Sequence, residues 1–149
     1  MTALVSEKPV LDEAGKLVMV LGLARDLSPE QRMERRLSRT ELWSKSAFEN
    51  SVLGIAFGDL EGRFTSVNPA MCAIYERGAN DLIGHRGVEF TYPDDREPTA
   101  TPVQELGSGA RDRFSTEKRI LTPSGRIVWV QVDLVNVPGG DGKPEYLFG

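Results

Sequence analysis

The sequence contains few of the side chains that metal centres and nucleophilic active sites require. Among its 149 residues there is one cysteine, Cys72, and one histidine, His85. A single cysteine cannot form an internal disulfide, and one thiol with one imidazole cannot supply a zinc site or a catalytic triad. We therefore predict neither a disulfide framework nor a zinc centre nor a triad in this chain.

An excess of basic charge and long apolar runs are also missing. The net charge is −4 with acidic and basic residues interspersed, so the chain lacks the broad basic surface that binds phosphate backbones. No apolar run is long enough to span a bilayer, and the N-terminus has no signal-peptide pattern. We expect a cytoplasmic protein that binds no nucleic acid and, in this part of its sequence, no membrane. Its hydrophobic fraction, 40%, is sufficient for one core.

One short pattern occurs near both ends of the sequence. Gly15-Lys16 is followed by five residues and Gly22, and Gly142-Lys143 is followed by five residues and Gly149. Each copy predicts a turn that leads into a short, mostly apolar strand. The same structural ending is therefore expected twice, as in a piece of a longer tandem array of domains.

A long helix is predicted between the first strand, at residues 16–24, and the rest of the chain. Ser28-Pro29-Glu30-Gln31 combines a capping residue, a proline suited to the first helical position and a Gln at the capping-box position, and the helix should extend to about Asn50. A stripe spaced in steps of four and three runs along it: Met33, Leu37, Thr40, Ser44 and Ala47. This stripe favours a dimer-forming signalling helix or packing on a sheet. A solvated connector is the alternative, because Thr and Ser are poor coiled-coil seam residues.

From Val52 onward the pattern changes to short strands and small helices. Strands are predicted at 53–57, 63–67, 112–121 and 126–137, followed by a last strand after Gly142-Lys143. Asn68-Pro69 should begin a helix that runs through Tyr75 and is ended by Gly78, residues 80–84 and 92–95 should form single turns, and a short helix should end near Gly107. In the longest strand, apolar residues alternate with Trp129 and polar residues, which predicts one apolar face and one partly covered face.

Several short motifs, taken together in their order and spacing, resemble those of PAS sensor domains, in particular the variety with a Trp-containing strand in a C-terminal PAC-type motif. The motifs are Phe48-Glu49-Asn50, Gly54-Ile55-Ala56, Asp59 with Gly62-Arg63-Phe64, Val67-Asn68, Asp81-Leu82-Ile83-Gly84, Tyr92-Pro93-Asp94-Asp95, Glu117 with Arg119, Gly125 with Trp129-Val130, and Gly142-Lys143. The resemblance covers about residues 47–149. It implies an α+β fold with a five-stranded antiparallel sheet and small helices over one face, enclosing a pocket.

The resemblance also implies a domain organisation. Residues 1–27 are similar to the closing strands of a preceding PAS domain, 28–46 to an inter-domain signalling helix, and 47–149 to a PAS domain whose last strand is either complete or truncated. The implied function is a non-catalytic sensory and dimerisation module of a multidomain protein. It would relay the state of a ligand or partner to a diguanylate cyclase, histidine kinase or phosphatase output domain in the same polypeptide.

Two other functions are kept open by the residues themselves. The first is a structural adaptor with a filled core and no ligand, whose role is to hold subunits together. The second is a small enzyme that uses Asp94 and Asp95, the one close carboxylate pair in a plausible loop. In either sensor or adaptor, we expect a homodimer, with residues 17–24 seeking the sheet edge of a second copy and so exchanging a strand.

The resemblance places five residues around the interior: Phe57, Ile74, Tyr75, Phe90 and Val103. An apolar cavity lined by them would admit a small lipid-like or aromatic ligand, and a tightly packed core without a ligand is the alternative.

No cofactor is predicted. His85 follows Gly84 in a loop rather than on a pocket helix, which argues against haem, and Cys72 lacks the Asn-Cys-Arg-Phe signature of flavin photoreceptors, so it is expected to pack in the core. Asp94 and Asp95 are explained without a metal as acids in the first turn of a helix.

Glu117 and Arg119 lie on one face of a predicted strand. We expect them to form ion pairs across the fold with Asp81, Glu89 or Arg86, which is a matter of geometry rather than of function.

Overall fold

The computed structural model describes residues 3–11, 17–26 and 29–149, with side chains described from Pro29 onward. The chain divides into two compact units, Met1–Lys45 and Ser46–Gly149. The predicted capping residue Ser28 and the first turn, around Gly15-Lys16, lie outside the described residues.

The first unit contains an antiparallel ribbon of two strands, β1 (Ala3–Leu11) and β2 (Leu17–Asp26), paired from Ala3 opposite Asp26 to Leu11 opposite Leu17. The predicted strand at 16–24 corresponds to β2. It pairs along its length with β1, a strand that the sequence analysis did not predict.

Helix α1 (Pro29–Glu49) follows the predicted course and ends in the second unit. The predicted stripe is exposed along it: Met33 is 66% and Leu37 is 62% accessible, and Thr40 and Ala47 are also exposed. The Thr40 hydroxyl donates to the Arg36 carbonyl at 3.0 Å, which satisfies its polar group within the helix.

The second unit is built on a five-stranded antiparallel sheet, as predicted. Its strands are β3 (Ala56–Gly58), β4 (Phe64–Val67), β5 (Arg113–Leu121), β6 (Ile127–Pro138) and β7 (Pro144–Phe148), in the spatial order β4-β3-β7-β6-β5. The connection from β4 to β5 carries α2 (Pro69–Tyr75), α3 (Ala79–Leu82), two 3₁₀ turns (Gly87–Phe90 and Pro93–Asp95) and α4 (Arg96–Ser108).

The sheet has one covered and one open face, which confirms the alternation predicted for the longest strand. On the inner face, Val128 and Val130 pack against a buried cluster of Tyr75, Leu82, Phe90 and Ile120. Trp129 lies on the outer face and is 67% exposed. Successive side chains of a strand point to opposite faces of the sheet. The positions of Val128, Trp129 and Val130 therefore determine which face each of the remaining residues of β5 and β6 occupies.

Helix α2 runs through Tyr75, as predicted, but the residue that ends it is Glu76 and not Gly78. Glu76 is the C-cap of α2 and adopts a left-handed conformation with φ 52°, and Gly78 is the N-cap of α3. This conformation is unfavourable for a residue with a side chain. It is compensated by the Glu76 carboxylate, which accepts a hydrogen bond from Ser124 at 2.6 Å and pairs with Arg126 at 2.6 Å.

Helix α4 ends at Ser108, close to the predicted end near Gly107, and Gly109 follows as its C-cap in the left-handed region with φ 78°. A side chain at Gly107 would collide with the Leu60 carbonyl oxygen in the turn between β3 and β4. The glycine therefore permits close contact between α4 and this turn.

The fully buried side chain of Asn68 connects several segments of this unit. Its Oδ1 accepts from the Ile55 and Met71 amides, both at 2.9 Å, and its Nδ2 donates to the carbonyls of Phe48 at 3.0 Å and Leu53 at 2.9 Å. The bond from Met71 is the helix cap predicted from Asn68-Pro69. All of the amide's main hydrogen-bonding positions are thus used to hold the end of α1, the entry to β3 and the start of α2 together.

We predict that Asn68→Ala lowers the free energy of unfolding by about 2–4 kcal/mol, because four backbone groups lose a buried partner at once. Urea denaturation measures this change. Asn80→Ala is the matched control: Asn80 is exposed in α3, and its replacement should change stability by less than about 0.5 kcal/mol. Equal effects of the two substitutions would contradict the assigned role of Asn68.

Candidate ligand site

A cavity of about 680 Å³ lies in the second unit, between the inner face of the sheet and the helices that cover it. Its wall is mostly apolar and comes from α2, α4 and all five strands. The inward-facing residues that form it include Met71, Ile74, Tyr75, Thr99, Ala100, Val103, Ala56, Val128, Val130, Val132, Leu134 and Leu147. A site of this size and chemistry suits a small molecule with a large apolar surface.

The structure brings together three of the five predicted pocket residues with their side chains inward: Ile74 and Tyr75 on α2 and Val103 on α4. Phe90 is not among the lining residues. Its ring is in the core cluster, stacked with Phe64 at 6.5 Å between ring centroids. This position results from the 3₁₀ turn at Gly87–Phe90, which the sequence analysis did not predict.

Phe57 borders the cavity through its strand, but its ring lies on the other side of the sheet. Its centroid is 5.8 Å from that of Tyr146, 5.2 Å from Phe148 and 5.7 Å from Phe48. The buried neighbours Ala56 and Gly58 face inward, so the alternation of β3 turns Phe57 outward.

Lys118 on β5 is the polar residue of this wall that the sequence analysis missed. It is only 5% exposed, and its Nζ donates to the hydroxyl of the fully buried Thr91 at 3.0 Å. Burial lowers the pKa of Lys118 to about 8, with the charge of Asp95 acting weakly in the opposite direction. A signal was present in the sequence: position 118 is two residues before Ile120 and therefore shares the inner face with it.

Tyr75 is a second polar group at the cavity. It is buried in the core cluster, and burial raises the pKa of its hydroxyl to about 12, so it stays neutral. The polar groups at the cavity thus include two that are buried and ionisable, the amine of Lys118 and the phenol of Tyr75.

The neighbour of Lys118 in the sequence, Arg119, faces the outer side of the sheet and binds Asp95. Its backbone N and its Nε donate to Asp95 Oδ2 at 2.8 and 2.9 Å, and its Nη2 donates to Oδ1 at 2.7 Å. These hydrogen bonds lower the pKa of Asp95 to about 2. The guanidinium lies 4.3 Å from the ring centroid of Tyr92 and 5.4 Å from that of Trp129.

This contact corrects one prediction. The partner of Arg119 is Asp95 and not Asp81 or Glu89, because the Tyr92 amide donates to the Arg119 carbonyl at 2.8 Å and brings the turn before α4 against β5. Asp94 and Asp95 lie in the first turn of the 3₁₀ helix Pro93–Asp95, as predicted, and the Asp95 carboxylate is engaged by Arg119 rather than in a capping bond to α4.

The two residues considered for binding haem or flavin, His85 and Cys72, have ordinary structural surroundings. His85 is exposed, with its Nδ1 3.0 Å from Glu89 Oε2, and Cys72 is half-buried against the core cluster. Within the part of the chain that the structure describes, no three His, Cys, Asp or Glu side chains come together to hold a metal ion.

An antiparallel sheet in this order, with short helices closing a cavity over one face, defines a class of small α+β domains. The family model described as "PAS fold" matches residues 48–149, and the chain belongs to this family. The PAS domain is a non-catalytic sensory fold. The resemblance noted in the sequence is thereby confirmed for this part of the chain.

The chain is similar to parts of longer signalling proteins. It is 31% identical over 116 residues to the probable diguanylate cyclase DgcE of Escherichia coli, covering 77% of this chain and 10% of that protein. It is 26% identical over 104 residues to the sensor histidine kinase TmoS of Ectopseudomonas mendocina, covering 70% of this chain and 11% of that protein. The chain thus spans about a tenth of the length of these two relatives.

Among solved structures, the PAS domain of an HTR-like protein from Haloarcula marismortui is similar. The two are 27% identical with a TM-score of 0.63, over 79% of this chain and 95% of that one. The chain is therefore a PAS domain related to those of sensory signal-transduction proteins. None of the helices in its described residues is long and apolar enough to cross a membrane.

We predict that the buried Lys118 makes stability depend on pH in a specific window. Its pKa of about 8 in the folded protein lies below the ordinary 10.5, so between these values the unfolded chain binds more protons and stability rises with pH. Relative to Lys118→Met, the free energy of unfolding of the wild type should rise by about 3 kcal/mol from pH 8 to 10.5.

Denaturation at several pH values measures this difference, in which the other titrating groups cancel. Lys143→Met, which removes an exposed lysine, is the control and should run parallel to the wild type. A Lys118→Met curve that also runs parallel would show that the amine is not desolvated.

Proposed function

We propose that this chain is a cytoplasmic sensory and dimerisation module that binds a small, largely apolar ligand and relays its presence to an output domain in the same polypeptide. The observation that carries the proposal is the cavity of about 680 Å³ on the covered face of the sheet. Its volume lies within the range of about 300–1,000 Å³ that small-molecule sites occupy. A structural adaptor with a filled core, the rival function, would not need such a space.

A connection from the cavity to α1 supports the relay. Met71 and Ile74 of α2 line the cavity, and the same helix begins at Asn68, whose Nδ2 holds the Phe48 carbonyl in the last turns of α1. The loop between them packs closely on α2, since a side chain at Gly54 would come within 2.9 Å of Ile74 Cδ1. A ligand that displaces α2 therefore acts on the end of α1, and it shifts the balance of two arrangements by its differential affinity for them.

The output domain is inferred from the relatives. Their names identify a probable diguanylate cyclase and a sensor histidine kinase. We propose a diguanylate cyclase, a histidine kinase or a phosphatase as the output, with no catalysis by the PAS domain itself. Asp94 and Asp95 offer little support for the rival enzyme, because Asp95 is held by Arg119 and Asp94 has no neighbouring acid free to act with it.

Ligand binding is tested with decan-1-ol as an apolar probe and Val132→Phe as a variant that fills the cavity. Val132 faces inward and lines the cavity. We expect decan-1-ol to raise the melting temperature of the wild type in a concentration-dependent way and to have no effect on Val132→Phe.

The matched control is Val135→Phe, the same substitution on the outer face of the same strand, which should retain the response. Native mass spectrometry of the purified protein adds a direct search for a retained molecule. A wild type that neither responds to the probe nor retains any molecule would favour the adaptor.

Self-association is the second part of the proposal. The exposed stripe of α1 offers a surface to a second copy, comprising Met33, Leu37, Thr40 and Ala47. The ribbon of β1 and β2, which among the described strands pair only with each other, offers further edges for strand exchange through residues 17–24.

We predict that Leu37→Lys lowers the mass measured by light scattering toward that of a single chain, because it places a charge on the apolar seam. Ser38→Lys adds the same charge beside the stripe and should leave the mass unchanged. Deleting residues 1–26 separates the two surfaces: a further loss of association would support exchange of the strand. A monomeric wild type would overturn this part of the proposal.

A further inference from the structure

Among residues 29–149, the cavity holds a cationic side chain that has no counterion. Lys118 is 5% exposed and lines the cavity, and Thr91 Oγ1 is the one group of these residues that accepts a hydrogen bond from its Nζ. Thr91 in turn donates to the Gly87 carbonyl at 3.1 Å. An ammonium group has three donors, so two remain for other partners.

The charged groups around Lys118 do not neutralise it. Among the carboxylates in residues 29–149, none forms an ion pair or hydrogen bond with Nζ. Asp95 is the carboxylate whose charge reaches Lys118, but it is bound by Arg119 through three hydrogen bonds. With a pKa of about 8, the amine is mostly protonated at pH 7 and remains an unpaired buried charge.

We propose that the cavity binds a monocarboxylic acid with an apolar chain or ring, whose carboxylate pairs with Lys118 Nζ while its body lies against the apolar wall. This inference rests on the proposed function and specifies the chemical class of its ligand. The single charge of the ammonium matches the single charge of a carboxylate, and its two unused donors match the two carboxylate oxygens.

A phosphate dianion fits this site less well. It would require a second cation, and the other cation at the cavity, Arg86, has its charge already paired with Glu61, whose Oε2 is 3.2 Å from Nη2, and keeps only its Nε without a hydrogen-bond partner. A neutral apolar molecule would fill the volume but leave the charge of Lys118 unpaired. Both observations favour an acid with a hydrophobic body.

The test compares two probes of equal chain length, sodium decanoate and decan-1-ol, at pH 7. Each is titrated by calorimetry into the wild type, Lys118→Met and Lys143→Met. Methionine keeps the length of the lysine stem and removes the charge, and Lys143 is exposed and far from the cavity lining. Binding of decan-1-ol reports that the variant is folded with its cavity intact.

We expect Lys118→Met to weaken decanoate binding tenfold or more and to change decan-1-ol binding by less than threefold, since a buried charged hydrogen bond is lost for the acid alone. Lys143→Met should bind both probes as the wild type does. Equal decanoate affinity of the wild type and Lys118→Met would overturn the inference about the carboxylate, while the proposal that the cavity binds an apolar ligand would still hold. Failure of the wild type to bind either probe would overturn the ligand site itself.

Discussion

The arrangement of the second unit depends on one buried side-chain amide, that of Asn68. Asn68 offers two donors and one acceptor oxygen, and the end of α1, the strand entry at Ile55 and the start of α2 each supply backbone groups that have no other side-chain partner there. Each of these backbone groups, if buried without a partner, would cost about 1–3 kcal/mol. The amide thus determines where α2 lies, and α2 forms one wall of the cavity. Stability and the geometry of the site therefore share a common origin.

The pleat of β5 explains how a single strand carries two opposite electrostatic environments. Lys118 and Arg119 are adjacent, yet one cation is buried beside apolar walls and the other is held by Asp95 between two aromatic rings. Arginine suits the outer position because its planar group binds a carboxylate in two places and stacks on rings. Lysine suits the inner position because its charge is confined to one atom, which donates to the single hydroxyl of Thr91. Exchanging the two residues would leave both partners poorly matched.

Local patterns allowed much of this fold to be predicted, and contacts distant in the sequence account for what was not. The cap at Asn68-Pro69 and the alternation around Trp129 depend on neighbouring residues, and both appear as predicted. The left-handed Glu76 depends on Ser124, 48 positions away, and so could not be predicted locally. The three residues of β3 are too few to define which face Phe57 occupies. Lys118, in contrast, could have been found by counting back from Ile120.

The buried charge of Lys118 affects both the stability of the protein and the choice of ligand for the cavity. A buried ammonium without a counterion destabilises the empty protein, and the strand that carries it would be more stable with an apolar residue at that position. A ligand that supplies the missing charge removes this penalty, so its binding free energy includes a term that a neutral ligand of equal size lacks. In a sensor, an unpaired charge that only an acidic ligand neutralises also gives selectivity. The apolar wall alone cannot distinguish one hydrophobic molecule from another. The cost in stability and the gain in discrimination then come from the same amine on β5.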